Sequence, residues 1–501
     1  MDSTTAQFGK VRAFLWPIHN HEFARFVPMF LIFFLICFNY NILRAAKDAL
    51  IITAPGSGSE AIPFIKVWAI LPSALIMTFL YTKFSSLLKR EFVFYAMMGV
   101  FLLFFIVFAF ILYPYRDSLH PNVLADELEC IWPVGCKGLI AMIRNWTCTA
   151  YYIMSEMWST IIMTVLFWGF ANEVTSVKEA TRFYAVFGIG ANFAGMCSGW
   201  SATLLSRLPF HPKFLFGHDA WEQSIALMSA IVIVNCFLCM GLFRFLHIKG
   251  HRLEKPLEKI SEQEFKISLR ESFSYLAKSR YLIFIAIIVV TYNLALNLIE
   301  VVWKDQVKQL YPNPNDFNAY MGTVITATSA LATLIAIFVS GNILRKFSWS
   351  VGALITPIIV AVTGILFFCF VLCKDTKFAL FAGYFSITPL TLSVLFGTIQ
   401  NCLARASKYT LFDATKEMAF IPLTRESKIK GKAAIDGVGS RLGKSGSSLV
   451  HQGLLILFGT VSMSTPYVAL ILIIVIAAWI LAVKGLSKEF IQVTAQKSPL
   501  L

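Results

Sequence analysis

FVPMFLIFFLICFNYNIL, residues 26–43, runs directly into Arg44-Ala-Ala-Lys47-Asp48. An apolar run of this length matches the hydrocarbon core of a bilayer, which takes about 20 residues of helix to cross. Runs of the same kind, such as Phe92–Leu112 and Val468–Val483, recur roughly a dozen times at spanning length, separated by short polar connectors. No soluble domain of 501 residues needs so many. The chain reads as an all-α integral membrane protein. Its function then rests on the few charged residues that the spans tolerate, and Arg44 and Lys47 are the first of these.

Composition agrees. Hydrophobic residues make up 57% of the chain and charged residues 14%, against about 25% charged in an ordinary soluble protein. The 46 Phe suit a lipid-facing surface. The net charge of +15 would suggest nucleic acid as the partner of a soluble chain. Here much of the excess lies in connectors, where Lys and Arg set orientation in the bilayer. The lipid bilayer is therefore the expected partner and nucleic acid is not. A basic pathway for an anionic solute is the alternative use of the charge. The ten Cys form no framework. Cys236-x-x-Cys239 lies on an apolar stretch and reads as packing, while Cys130 and Cys136 flank a loop and would pair only in an oxidising compartment. Lys10, Arg12 and Arg25 precede the first apolar run, which is too long for a signal peptide and lacks a clear cleavage site, so it reads as a retained span.

Hydrophobic periodicity predicts helices over 26–45, 64–84, 92–113, 146–171, 183–205, 222–246, 281–303, 319–342, 350–373, 378–402, 433–460 and 466–485. Alternate connectors are basic: the N-terminus, Lys83/Lys89/Arg90, Lys178/Arg182, the 247–280 segment, Arg345/Lys346, the 403–432 segment and Lys484/Lys488. The others carry fewer cations, and 115–130 is acidic. Both termini are thus expected in the cytoplasm, as an even number of spans requires. The longest polar connector, 247–280, divides the chain into 1–246 and 281–501, two six-helix halves. The basic connectors Lys83-Phe-Ser-Ser-Leu-Leu-Lys-Arg90 and Gly341-Asn-Ile-Leu-Arg-Lys-Phe-Ser348 fall at matching places in the two. Twelve transmembrane helices with a basic central loop suggest a major-facilitator-like transporter with its site at the midplane.

An ionisable side chain inside a span is a functional candidate. Arg44 and Lys47, three residues apart, share a helix face near the end of the first span. They either snorkel to the interface or line a cavity mouth. Glu156 lies within the fourth predicted helix and Glu173 near its end, where Lys178 is within reach. Glu300 follows Thr291-Tyr-Asn-Leu-Ala-Leu-Asn-Leu-Ile299 and either pairs with Lys304 four residues on or acts on substrate. The eleventh predicted helix opens Gly431-Lys-Ala-Ala-Ile-Asp-Gly-Val-Gly-Ser-Arg-Leu-Gly-Lys-Ser-Gly446, placing Lys432, Asp436, Arg441 and Lys444 in its first half. Cations there and on the first helix would together hold polyanionic phosphates. Gly443-Lys-Ser445 is not a P-loop, because Val438 stands where its first glycine is required and no strand precedes it. The His and Cys show no metal-ligand spacing, and no metal or cofactor is expected. Asn145-Trp-Thr147 at a span edge is a chance sequon. Gly195-x-x-x-Gly199 reads as a helix-packing face.

Several of these segments resemble the non-mitochondrial ATP/ADP translocases, nucleotide transporters of plastids and obligate intracellular bacteria. They are Phe14-Leu-Trp-Pro-Ile18, Asn39-Tyr-Asn-Ile-Leu-Arg-Ala-Ala-Lys-Asp48, Phe167-Trp-Gly-Phe-Ala-Asn-Glu173, Arg182-Phe-Tyr-Ala-Val-Phe-Gly-Ile-Gly-Ala-Asn192, Asn297-Leu-Ile-Glu-Val-Val-Trp-Lys304, Tyr409-Thr-Leu-Phe-Asp-Ala-Thr-Lys-Glu-Met-Ala419, Gly431-Lys-Ala-Ala-Ile-Asp436 and Leu442-Gly-Lys-Ser-Gly446. The similarity is greatest to chlamydial-type members. The resemblance implies a twelve-span antiporter in the inner membrane, not an enzyme, with external ATP and internal ADP as solutes and phosphate as a candidate companion. It also implies two lysines and two glutamates that matter for transport. By motif these fall on Lys47, Glu173, Glu300 and either Lys432 or Lys444. Proton-coupled nucleotide import, and exchange of GTP, UTP or NAD, also occur in the family, and these motifs do not separate them. Tyr40, Asn41, Tyr292 and Asn293 are candidates for reading the base. Facing, unpaired lysines would keep an empty exchanger from closing. A lipid-modifying membrane enzyme would need a nucleophile, an acid/base pair or a metal site, and none is found.

Overall fold

The computed structural model describes residues 18–214, 217–250, 279–340, 348–373, 387–424, 427, 431–432, 434–435 and 439–497. Among them every regular element is helical. Backbone polar groups in hydrocarbon must be satisfied internally, which a helix does within one segment. We label the long helices α1 (Phe23–Ile52), α2 (Ala61–Leu87), α3 (Arg90–Leu112), α4 (Trp146–Val174), α5 (Val177–Ser206), α6 (Ala220–Gly250), α7 (Arg280–Leu310), α8 (Pro314–Ile335), α9 (Trp349–Leu372), α10 (Pro389–Ser407), α11 (Ser440–Phe458) and α12 (Val461–Lys497).

Sequence-coded caps set several starts. Ser176 Oγ accepts from the Glu179 amide while the Glu179 carboxylate accepts from the Ser176 amide, a reciprocal capping box. Asn313 and Thr388 cap α8 and α10, each with proline at the first helical position. After α1, the turn at Gly56 takes φ +64°, a conformation that glycine adopts without a Cβ penalty.

Among the described residues nine helices are long and apolar enough to cross a membrane: α1–α4, α6–α9 and α12. This is fewer than the twelve expected. The other three predicted spans coincide with α5, α10 and α11, which are helical but do not meet that measure. Glycine, serine and charged side chains dilute α5 and α11. Residues 374–386 and 436–438 at the predicted starts of the tenth and eleventh spans lie outside the described residues. So do 251–278 of the polar connector, the Arg345/Lys346 connector, Asp436 and most of Phe14–Ile18.

Two boundaries are corrected. The first helix does not end at its charged run but continues to Ile52, with Lys47 only 4% exposed. The 403–432 segment is not a plain connector. α10 continues through a widened π-type turn, Lys408–Phe412, into a helix Asp413–Phe420. Phe412 holds this segment inside, stacking on Tyr292 of α7 at 4.4 Å and edge-on against Trp479 of α12. The 115–145 connector carries short helices of its own, including Asn122–Ile131 and Lys137–Arg144.

α1 packs against α4, α5 and α6, and α7 packs against α10, α11 and α12. The two groups meet along α5 and α8, and again where α11 touches the start of α2. The predicted packing face is there. A Cβ on Gly199 would stand 2.5 Å from the Gly322 carbonyl oxygen, and one on Gly322 would stand 2.6 Å from that of Gly199. Backbone approach at this distance excludes every side chain. Replacing Gly199 with alanine is expected to destabilise the bundle by about 1–3 kcal/mol through overpacking. Thermal unfolding of the purified protein in detergent would register it, and an unchanged midpoint would mean the contact is dispensable.

Candidate functional site

α1 carries Lys47 and Asp48 into the bundle interior, where unpaired charge is costly. Each finds a partner. Lys47 Nζ lies 3.0 Å from Asp48 Oδ1 and 3.0 Å from Glu156 Oε1 of α4, and 3.8 Å from the ring centroid of Tyr152. Asp48 Oδ2 accepts Lys304 Nζ of α7 at 2.8 Å. Lys304 also reaches Glu300 Oε1 at 2.9 Å, and Arg405 of α10 reaches the same oxygen at 3.0 Å. The result is one chain of alternating sign, Glu156–Lys47–Asp48–Lys304–Glu300–Arg405, crossing from α4 to α10. Its centre, Asp48 with Lys304, is nearly inaccessible, whereas Glu156 keeps 34% of its side-chain surface. Removing one partner of such a buried pair typically costs about 3–5 kcal/mol, because the other charge is left uncompensated.

Further cations surround the chain. The charges of Lys304, Arg405, Lys66 and Arg44 all act on Glu300. Those of Lys47, Lys66 and Lys444 act on Glu156. Lys66 of α2 donates to Asn297 Oδ1 of α7 at 2.6 Å. The arrangement suits a polyanion, since the cations lie on several helices of both groups and converge on two carboxylates.

Beside this layer, between α1, α5, α8 and α10, lies a cavity of about 420 Å³, within the range typical of small-molecule sites. Arg44 and Arg405 supply its cations, Tyr40 and Tyr409 its rings, and Asn41, Asn192 and Asn401 polar groups. Tyr409 is 51% exposed, and Lys408 Nζ stands 4.7 Å from its ring centroid. Guanidinium groups beside exposed rings can take phosphate by paired hydrogen bonds and a planar base by stacking.

Polar ties between the two groups gather where α1 and α5 end, α7 ends and α8 begins. Besides Lys304–Asp48 they include Ser59 Oγ to Asp305 Oδ1 at 3.3 Å, Asn318 Nδ2 to Ser206 Oγ at 2.7 Å, Gln452 Nε2 to the Pro63 carbonyl at 2.9 Å, and Lys308 to the Ser57 carbonyl. At the opposite end of α1, Glu22–Arg182 and Arg25–Glu179 join α1 to α5 of the same group. Among the described residues the two groups are thus laced together at one end.

The sequence-predicted residues distribute unevenly. Arg44, Lys47 and Glu300 come together. Lys47 neither snorkels nor stands unpaired, so it is not the free lysine expected to face the cations of the eleventh helix, and Lys304 pairs with Glu300 as the four-residue spacing allowed. Glu173 lies apart, half exposed and paired with Arg90 at the start of α3. Lys432 is half exposed and bonded to Glu417 at 2.6 Å. Arg441 and Lys444 are exposed on α11, with Lys444 near enough to act on Glu156. Asp436 lies outside the described residues. Of the base candidates, Tyr40 and Asn41 line the cavity, while Tyr292 is buried against Phe412. Asp48, Lys66 and Arg405 were not singled out, although Asp48 stands in a quoted motif.

The profile of the TLC ATP/ADP transporter family matches residues 1–490. The chain is 45% identical over 498 residues to ADP,ATP carrier protein 1 of Chlamydia muridarum (strain MoPn / Nigg), covering 98% of this chain and 93% of that one. It is 46% identical over 496 residues to the protein of the same name from Chlamydia pneumoniae, with 98% and 96% covered. It is 39% identical over 473 residues to the chloroplastic ADP,ATP carrier protein 1 of Arabidopsis thaliana, with 93% and 74% covered. Among solved structures, a bacterial homologue of the human lysosomal transporter Spinster, inward-facing and unoccupied, superposes with a TM-score of 0.51 at 11% identity. That match covers 92% of this chain and 97% of the other, and it speaks to the fold alone.

Proposed function

The chain belongs to the TLC ATP/ADP transporter family, and on that premise we propose that it is an antiporter exchanging external ATP for internal ADP across the bacterial inner membrane by alternating access. It acts by transport, without an enzymatic step, cofactor or metal. The helices of 1–246 and 281–501 serve as two six-helix halves joined by the 247–280 linker, twelve spans in all, with both termini in the cytoplasm. The observation that carries the reading is the interior cation set, shared between the halves and bordering a cavity lined by the Tyr40 and Tyr409 rings.

In this scheme Arg44 and Arg405 receive the phosphates, Lys66 and Lys444 add positive potential, and Tyr40 or Tyr409 stacks on the base. Lys47 contributes through the paired layer rather than by facing solute as a free cation. Glu300 holds Arg405 and Lys304 while the site is empty and yields Arg405 to an incoming phosphate. Asp436 and Arg441 on the eleventh span, and Glu173, are secondary positions in the scheme. With the termini inside, the laced end faces outward, so this arrangement is the inward-facing state. ATP carries one more negative charge than ADP, and export of phosphate with ADP would balance the cycle.

The test is counter-exchange in proteoliposomes. Uptake of labelled ATP is expected to require internal ADP, and preloaded label should leave when unlabelled ADP is added outside. An uncoupler should leave exchange intact. Efflux at an equal rate without counter-nucleotide would establish a uniporter. Collapse of accumulation by the uncoupler would establish proton coupling instead.

A further inference from the structure

We propose that Asp48 is the positioning residue that ties the two helix groups together when the site is empty and passes site occupancy to the closed end. The inference rests on the exchange reading above. Asp48 is not among the residues that line the cavity and is 1% exposed. Its two oxygens take one lysine from each group, Lys47 at 3.0 Å and Lys304 at 2.8 Å.

The sequence makes this sharing notable. The dipeptide Lys47-Asp48 near the end of α1 recurs as Lys304-Asp305 near the end of α7. Each group therefore brings a lysine and an adjacent carboxylate to the same level. Yet both lysines are on Asp48. Asp305 instead accepts from Ser59, Gln306 and Gln309. The pairs flanking the shared link are also related with inverted charge: Lys47 of α1 with Glu156 of α4, and Glu300 of α7 with Arg405 of α10. The Asp48–Lys304 contact is the point where this ion chain passes from one group to the other.

Partner exchange along the chain then links cavity to closed end. A phosphate that draws Arg405 off Glu300 leaves that carboxylate free to take Lys304 alone. Lys304 can leave Asp48, which keeps Lys47, and the groups can part without stranding a buried charge. In the empty protein Arg405 stays on Glu300, so on parting Lys304 would keep only a carboxylate it shares with Arg405. The empty carrier therefore stays shut, as an exchanger requires.

The test uses the full chain with Asp48→Asn and Asp48→Glu. In loaded proteoliposomes, Asp48→Asn is expected to raise the ratio of efflux without counter-nucleotide to exchange by about tenfold or more, the scale set by loss of one member of a buried ion pair. Asp48→Glu keeps a carboxylate and should fall between it and the parent. A second readout needs no transport. Ser57, 4% exposed at the closed end, is changed to cysteine, and labelling by a polar maleimide is followed in purified nucleotide-free protein. Labelling above that of the chain lacking the Ser57→Cys change should accelerate when Asp48→Asn is added. An unchanged efflux ratio with unchanged labelling overturns the proposal, and so does a proportional loss of both fluxes with unchanged labelling. If Asp48→Asn does not fold, Asp48→Glu with both readouts decides in the same way. Absence of counter-exchange in the parent chain would count against the exchange reading, while the labelling comparison would still judge the tie.

Discussion

Arg405→Glu is expected to abolish nucleotide uptake, with a fall of about 100-fold or more, the equivalent of the ~3 kcal/mol lost when a buried ion pair is broken. Arg405 is the residue that belongs both to the cavity lining and to the ion chain. Reversing its charge removes a phosphate ligand, places a carboxylate beside Glu300 and repels the phosphates themselves. These effects all act in one direction. Arg405→Lys restores the charge but not the planar fork, so it should recover part of the uptake, with weaker apparent affinity for ATP. Uptake of labelled ATP by cells expressing each variant, corrected for protein in the membrane, measures both. Near-normal uptake by Arg405→Glu would reduce the arginine to a structural place and move the phosphates elsewhere.

The difference between Lys47 and Arg405 shows where reading the sequence stops. The first span, its charged end and the isolation of Glu300 in an apolar helix were legible, because each is a local departure from a pattern one helix long. Arg405 follows a less apolar helix and merges into a basic segment that resembles a connector. The burial of Phe412 against Tyr292 and Trp479 helps to keep that segment inside the bundle. Asp48 was visible but mute, since its role comes from Lys304, distant in sequence and held against it by packing of the two groups. Lys66 likewise sits at the start of α2 with the look of an interfacial lysine, and its partner Asn297 is on α7. Glu173 stands apart for the opposite reason. It lies inside a familiar motif, yet α4 ends there and the side chain turns to Arg90 at the rim. Charge and spacing identify which groups are expensive to bury. Which of them meet depends on contacts between residues more than a hundred apart in sequence.

The two lysines left open on the eleventh predicted helix differ in their surroundings. Lys444→Gln is expected to weaken ATP more than ADP and ADP more than AMP, because the lost Coulomb term scales with ligand charge. Lys432→Gln is expected to leave that order unchanged. The structural ground is the company each keeps. Lys432 is half exposed and spends its charge on Glu417. Lys444 is exposed on α11, and its charge reaches Glu156, the outer carboxylate of the ion chain. Two charges about 4 Å apart interact by about 4 kcal/mol near a protein surface, so even a more distant, partly screened contact is worth about tenfold in affinity for a trianion or tetraanion. AMP, with fewer charges and no γ-phosphate, should lose far less. The measurement is competition of labelled ATP by ATP, ADP and AMP in each variant. A flattened order of affinities in Lys444→Gln places that lysine beside the phosphates. Equal weakening of all three ligands makes it a packing residue of α11, and a flattened order in Lys432→Gln transfers the role to the other end of the segment.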